Sequence, residues 1–115
     1  MATAEDVASR RLKELRKSKP YMNFEDDYMD TEEGVRGLIR AISADESIEG
    51  LDFIEPEGLW SDPDVIEEYR ETLEEGYRVT VIVPTEELDA ARAMLSEVVG
   101  HNLVVLGYDE AGHAT

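Results

Sequence analysis

The 115-residue sequence contains no cysteine, so neither a disulfide framework nor a thiolate zinc site can hold it together. No apolar run approaches the roughly 20 residues that span a bilayer. The N-terminal residues are polar and charged, unlike the apolar segment of a signal peptide. These absences point to a soluble, cytoplasmic protein. Histidine occurs only at His101 and His113, and neither stands at a metal or acid/base spacing from a partner. None of the six serines lies in a nucleophile elbow, and the glycines form no phosphate cradle. Carboxylate pairs are so numerous that no one pair marks general acid/base chemistry. An enzymatic reading therefore has no motif to carry it, and no cofactor is implied.

Positive charge is also scarce. Against 28 acidic residues stand 11 basic ones, a formal net charge of -17. Such a surface repels nucleic acid and anionic lipid, which argues against direct DNA binding and against a membrane partner. The imbalance is uneven: residues 1–20 hold six basic and three acidic side chains, +3, leaving -20 for the remainder. Arginine outnumbers lysine eight to three, which suits a GC-rich or salt-adapted source. Adaptation to a salty cytoplasm would explain the acidity without any partner, because salt screens carboxylate repulsion.

An apolar content of 42% is enough for a folded core. The pattern predicts one small α+β domain over residues 31–108, preceded by a basic helix at 1–19 and an aromatic, acidic linker at 20–30. Residues 109–115 read as a frayed tail. Thr3 and Asp6 resemble a capping box that opens the first helix, which runs to about Lys17 before Pro20. Ala8, Leu12 and Leu15, with Val7 at the margin, form a thin apolar stripe, while Arg10, Lys13, Arg16 and Lys17 fall on the other side. This helix is either a basic arm for an acidic partner or an element docked on the chain's own body.

In the linker SKPYMNFEDDYMD, the aromatics Tyr21, Phe24 and Tyr28 are too apolar for a free tether and are candidates for partner contact. Glu25, Asp26, Asp27 and Asp30 offer a weak candidate set of oxygen ligands for a hard cation, although their spacing does not match an EF-hand. Asp30 and Glu33 then give a second capping signal. Val35, Leu38, Ile39 and Ile42 repeat at helical spacing, predicting a second helix despite Gly34 and Gly37. A short strand is expected around residues 50–54, stopped by Pro56, with Trp60 as a packing anchor beyond it. Ser61-Asp62-Pro63-Asp64 is a strong start for a third helix, which ends at Gly76. On it Val65, Ile66, Tyr69 and Leu73 share one arc. Asp64, Glu67, Glu68, Glu71, Glu74 and Glu75 share the opposite one.

Arg78 to Tyr108 carries the clearest pattern. A β-branched strand at 78–83 ends at Pro84, and Thr85 caps a fourth helix whose core stripe is Leu88, Ala91, Leu95, Val98 and Val99. Gly100 stops that helix, and 102–108 is the last strand, so the C-terminal third reads as a βαβ unit with parallel strands. The expected total is about three strands and four helices. The stretch VTVIVPTEELDAARAMLSEVVGHNLVVLGY resembles a βαβ half of small ferredoxin-like regulatory proteins such as the PII-like group. That resemblance covers about a quarter of the chain. It implies a two-layer ferredoxin-like sandwich and an oligomeric, ligand-sensing module with a pocket between subunits. It transfers no site residues.

Three functional readings follow. The first is a non-catalytic interaction or regulatory protein that engages a basic protein surface through the acidic stripe, mimicking nucleic-acid charge. The second is the ligand-sensing homo-oligomer that the resemblance implies. The third is a salt-adapted protein whose acidity serves no partner.

Overall fold

The computed structural model describes residues 3–111. The elements in chain order are α1 (Ala4–Ser18), β1 (Asn23–Thr31), β2 (Gly34–Ile42), β3 (Ile48–Ile54), α2 (Pro63–Glu74), β4 (Arg78–Val83), α3 (Leu88–Val98), β5 (Leu103–Gly107) and the single turn α4 (Tyr108–Ala111). The strands form one five-stranded sheet in the order β1-β2-β3-β4-β5. β1 and β3 both run antiparallel to β2, while β3, β4 and β5 are mutually parallel. Parallel neighbours need a crossover, and α2 and α3 supply the two.

Side chains alternate along a strand, so β2 to β5 serve two cores, while β1 contributes Phe24 to one of them. Phe53, Val79, Val81, Val83, Leu103 and Val105 meet Val65, Ile66 and Tyr69 of α2 and Ala91 and Leu95 of α3. Ile39, Ile54 and Ile82 face the other way, under Val7, Ala8, Leu12 and Leu15 of α1, with Tyr108 and Ala111 of α4 closing the end. The Thr3–Asp6 capping box opens α1 as expected. The stripe that looked thin is wholly buried, so α1 is a core element docked on the sheet.

Several expectations are corrected. The sheet has five strands rather than three, and it carries helices on both faces rather than one. Directly bonded β3-β4 and β4-β5 pairs also depart from the split βαβ arrangement of a ferredoxin-like sandwich. Residues 20–30 are not a linker, because most of them belong to β1, and Asn23–Thr31 pairs along its whole length with β2. The second helix is absent, and its residues are β2. Val35, Leu38, Ile39 and Ile42 satisfy a helical period by coincidence; the two glycines weaken a helix there and the β-branched residues favour the strand.

The hairpin turn explains what the supposed cap residues do. Thr31 pairs with Gly34 across a Glu32-Glu33 turn. Its hydroxyl accepts from the Glu33 amide at 3.2 Å and donates to the Gly34 carbonyl at 2.6 Å. Gly34 takes the positive φ of 130° that ends the turn. The Thr85 side chain does not cap α3; it accepts from the Asp109 amide at 3.1 Å. Val98 is 36% exposed and lies outside the core. Residues 108–111 form α4, with Ala111 buried against α1, so the tail reading fails there. His113 and the rest of 112–115 lie outside the described residues.

The C-terminal βαβ unit, β4-α3-β5, is present with parallel strands. Both free sheet edges are shielded. β1 is rich in carboxylates, and Arg16 donates to its Phe24 carbonyl at 3.3 Å. Arg92 of α3 donates to the Val105 carbonyl of β5 at 3.1 and 3.2 Å.

Since Leu12 fills the core between α1 and the sheet, Leu12→Ala should cost about 2–5 kcal/mol in urea unfolding. A free basic arm would give a change within about 0.5 kcal/mol.

Candidate functional site

The acidic helix is built as its sequence suggests. Asp62 accepts from the Asp64 amide at 2.8 Å, Pro63 occupies the first turn, and Gly76 at φ 95° follows the last. Val65, Ile66 and Tyr69 turn inward. Asp64, Glu67, Glu68, Glu71, Glu74 and Glu75 are all exposed. Two of the six have cationic neighbours: Glu67 pairs with Arg70 at 2.9 Å and Glu68 with Arg36 at 2.7 Å. Asp64, Glu71, Glu74 and Glu75 have no ion-pair partner among the described residues. Arg70 also donates to the Val98 carbonyl at 2.7 and 3.1 Å, capping the end of α3, so it relieves the stripe only in part.

Beneath this face lies a buried network that the sequence did not disclose. Glu55, 0% exposed, follows β3 on the α2 side of the sheet. Arg36 of β2 grips its carboxylate in a fork, Nε to Oε1 at 2.7 Å and Nη2 to Oε2 at 2.9 Å, and Tyr69 of α2 donates its hydroxyl to Oε2. The guanidinium lies 5.0 Å above the Phe53 ring, which meets Tyr69 edge-on at 5.1 Å. The Glu55 main chain is also fixed: its amide donates to the Ile82 carbonyl at 2.8 Å, and its carbonyl accepts from the Tyr108 hydroxyl at 2.5 Å.

Burial pushes the Glu55 carboxyl up, against the pull of Arg36 and the Tyr69 hydroxyl. Burial alone would lower Arg36, but Glu55 and Glu68 outweigh it and hold the guanidinium above its ordinary value. The Tyr69 hydroxyl is raised by burial and then by the Glu55 charge, so it stays a donor. With every buried polar atom satisfied, Glu55 and Tyr69 closed to solvent and Arg36 11% exposed, the network positions α2. A period of two along GVRGLIRAI would have placed Arg36 and Arg40 on one strand face, which is the signal by which Arg36 could have been found.

The other candidate residues do not assemble into one site. Tyr21 is 72% exposed between α1 and β1, whereas Phe24 is a core residue of the α1 face. Tyr28 is 40% exposed and donates to Asp26 at 2.8 Å. Arg10, Lys13, Arg16 and Lys17 are exposed on the outer side of α1, across the sheet from α2. Strand alternation sends Glu25 and Asp27 to one face and Asp26 and Asp30 to the other, so the weak cation set cannot converge. Among the described residues no three acidic or histidine side chains are grouped to hold a metal ion. Trp60 is buried and donates to Glu87 at 2.7 Å, which also accepts from the Gly58 amide at 2.8 Å and so joins the loops after β3 and β4.

A cleft of about 420 Å³ opens at the carboxyl ends of β3 and β4 beside the start of α1. In parallel sheets that end is where ligands bind. Here its charged lining is Glu5, Glu33, Glu57, Glu86 and Asp109, all anionic, which disfavours a nucleotide. No helix of the described residues is long and apolar enough to cross a membrane. Comparison with protein-family models, curated proteins and solved structures finds no match to the chain.

Removing one member of a buried ion pair leaves the other uncompensated. Arg36→Met and Glu55→Leu should each lower stability by about 3–5 kcal/mol in denaturant unfolding. The double variant should lose less than the sum of the two, by at least about 1 kcal/mol. Additive losses would show that the pair is not coupled.

Proposed function

We propose that this chain is a non-catalytic binding protein whose acidic α2 face engages the nucleic-acid-binding groove of a basic partner protein. The observation that carries the reading is the set of four exposed carboxylates, Asp64, Glu71, Glu74 and Glu75, left without a cation on one helix face. Like charges at i,i+4 in the pairs 64/68, 67/71 and 71/75 each cost about 0.2–0.5 kcal/mol in an isolated helix. The chain retains them on a helix anchored by a buried ion pair, which can bear a cost of about 1 kcal/mol.

The charge density suits mimicry. At 1.5 Å per residue, Asp64 to Glu75 spans about 16 Å, so the four carboxylates without a cation give about one charge per 4 Å. One strand of a nucleic acid presents a phosphate about every 3.4 Å along its axis. A groove built to neutralise phosphates would release its counterions to this helix in the same way, making affinity steeply salt-dependent.

The test is co-purification from lysate at two salt concentrations. Glu67→Lys/Glu68→Lys/Glu71→Lys should lose most of the captured partner, and that partner should be a nucleic-acid-binding protein released by nucleic acid. The control Asp30→Lys/Glu32→Lys/Glu46→Lys makes the same change in net charge away from α2 and should keep it. Equal loss in both variants, or retention in both, rules out the stripe as the contact.

Salt adaptation is a second reading, favoured by the exposed carboxylates away from α2, such as Asp30, Glu32 and Glu46. It expects the melting temperature to climb as KCl rises from about 0.1 M to about 1 M, where the screening length falls from about 10 Å to about 3 Å. A flat response counts against it.

A further inference from the structure

Helix coverage of the α1 face is incomplete. α1 packs over β1, β2 and β3, and α4 closes only the far ends of β4 and β5. The near halves of β4 and β5 stay open on this face, and Val104 there is 52% exposed. A cleft of about 230 Å³ occupies the gap, with Arg11 and Leu15 of α1 and Lys19, which caps its C-terminal end, as its wall. Register builds its floor: Gly50 lies beside Arg78, Asp52 beside Thr80, and Thr80 beside Val104, with Asn102 one step before the strand.

The chemistry of this cleft runs against the rest of the molecule. Lys19, Arg78, Thr80 and Asn102 all carry side-chain donors, and none of these donors has a hydrogen-bond partner among the described residues. Lys19 and Arg78 also have no carboxylate partner there, in a chain with 28 acidic residues to supply one. The Arg78 side chain stays close to the floor, since a Cβ built on Gly50 would sit 3.6 Å from its Nε. The one acid in the lining, Asp52, is neutralised by Arg11 at 2.5 Å. What remains is two free cations and two neutral donors around a small space, bordered by Leu15 and Val104.

We infer that this cleft binds the phosphate group of a small ligand, held by Lys19 and Arg78 and hydrogen-bonded by Thr80 and Asn102. A tetrahedral dianion uses several donors at once, and charge-assisted bonds are the strong ones. The site is independent of the acidic α2 face, which lies on the opposite side of the sheet.

The experiment titrates inorganic phosphate and, separately, phenyl phosphate into the 15N-labelled chain at constant ionic strength, with chloride as the matched control. Saturable amide shifts centred on Thr80, Asn102 and Val104 are expected with phosphate and not with chloride. Arg78→Gln and Lys19→Gln should each weaken binding by about tenfold or more. Lys17→Gln, an exposed cation outside the cleft, should leave it unchanged. Tighter binding of phenyl phosphate assigns the site to an organic phosphate that uses Leu15 and Val104; equal binding assigns it to the free anion. Shifts reproduced by chloride, no saturation, or affinity unaltered in both cleft variants would overturn the proposal. Each variant is first shown to be folded by its amide spectrum, so lost binding is not lost structure.

Discussion

The buried pair between Arg36 and Glu55 is the constraint from which the rest of the structure follows. Glu55 sits where β3 gives way to the first crossover, so its side chain ties β2 to α2 and its main chain ties β3 to β4 and α4. A carboxylate at 0% exposure is costly unless every lone pair is met, and here a forked guanidinium and a phenol meet them. A hydrophobic residue at that position could fill the space but could not fix the orientation of Arg36. That orientation matters at the surface, because the third guanidinium nitrogen reaches Glu68. One exposed carboxylate of the acidic face is thereby held in place from below.

This network also separates the two sides of the sheet. On the α2 side the helices are pinned by polar contacts, while on the α1 side the packing is almost wholly apolar, Val7, Ala8, Leu12 and Leu15 against Phe24, Ile39, Ile54 and Ile82. Apolar area removed from water, about 25 cal/mol per Å², is the main source of stability on the α1 side, with the Arg11–Asp52 pair and the Arg16–Phe24 hydrogen bond at its margins. Loss of one large side chain there is felt as a cavity.

What was legible in the sequence were the elements in which local signals agree. The Thr3–Asp6 box, the Asp62-Pro63 start and the Gly100 stop combine capping chemistry with a matching hydrophobic period, and β4 combines β-branched residues with a proline end. Residues 21–42 were misread because their signals conflict. In GVRGLIRAI the apolar residues fit both a period of 3.6 and a period of two, and only pairing with β1, a non-local interaction, decides between them. β1 itself reads as a loop because an edge strand can carry carboxylates on both faces. The acidic face was visible because it is one helix read at 100° per residue. The Glu55 network and the anion cleft were not, since each joins residues from distant segments whose adjacency only the strand register supplies.

Charge placement finally bears on what the proposed partner can be. The outer side of α1 presents Arg10, Lys13, Arg16 and Lys17, and the outer side of α2 presents six carboxylates, on opposite faces of one sheet. A second copy could in principle set its α1 on this α2. Because the two surfaces point away from each other, that contact is head-to-tail and propagates rather than closing into a symmetric pair. Each added copy also brings a net charge of -17 against the chain already carrying -17, and the +3 of the first twenty residues offsets little of it. Within about one screening length the local attraction is real, but the summed field opposes approach at low salt, and the salt that relaxes the field also weakens the attraction. A surface that binds α2 well must therefore be more basic than anything this chain itself displays, which on the proposed reading directs the acidic face toward a foreign, strongly cationic protein.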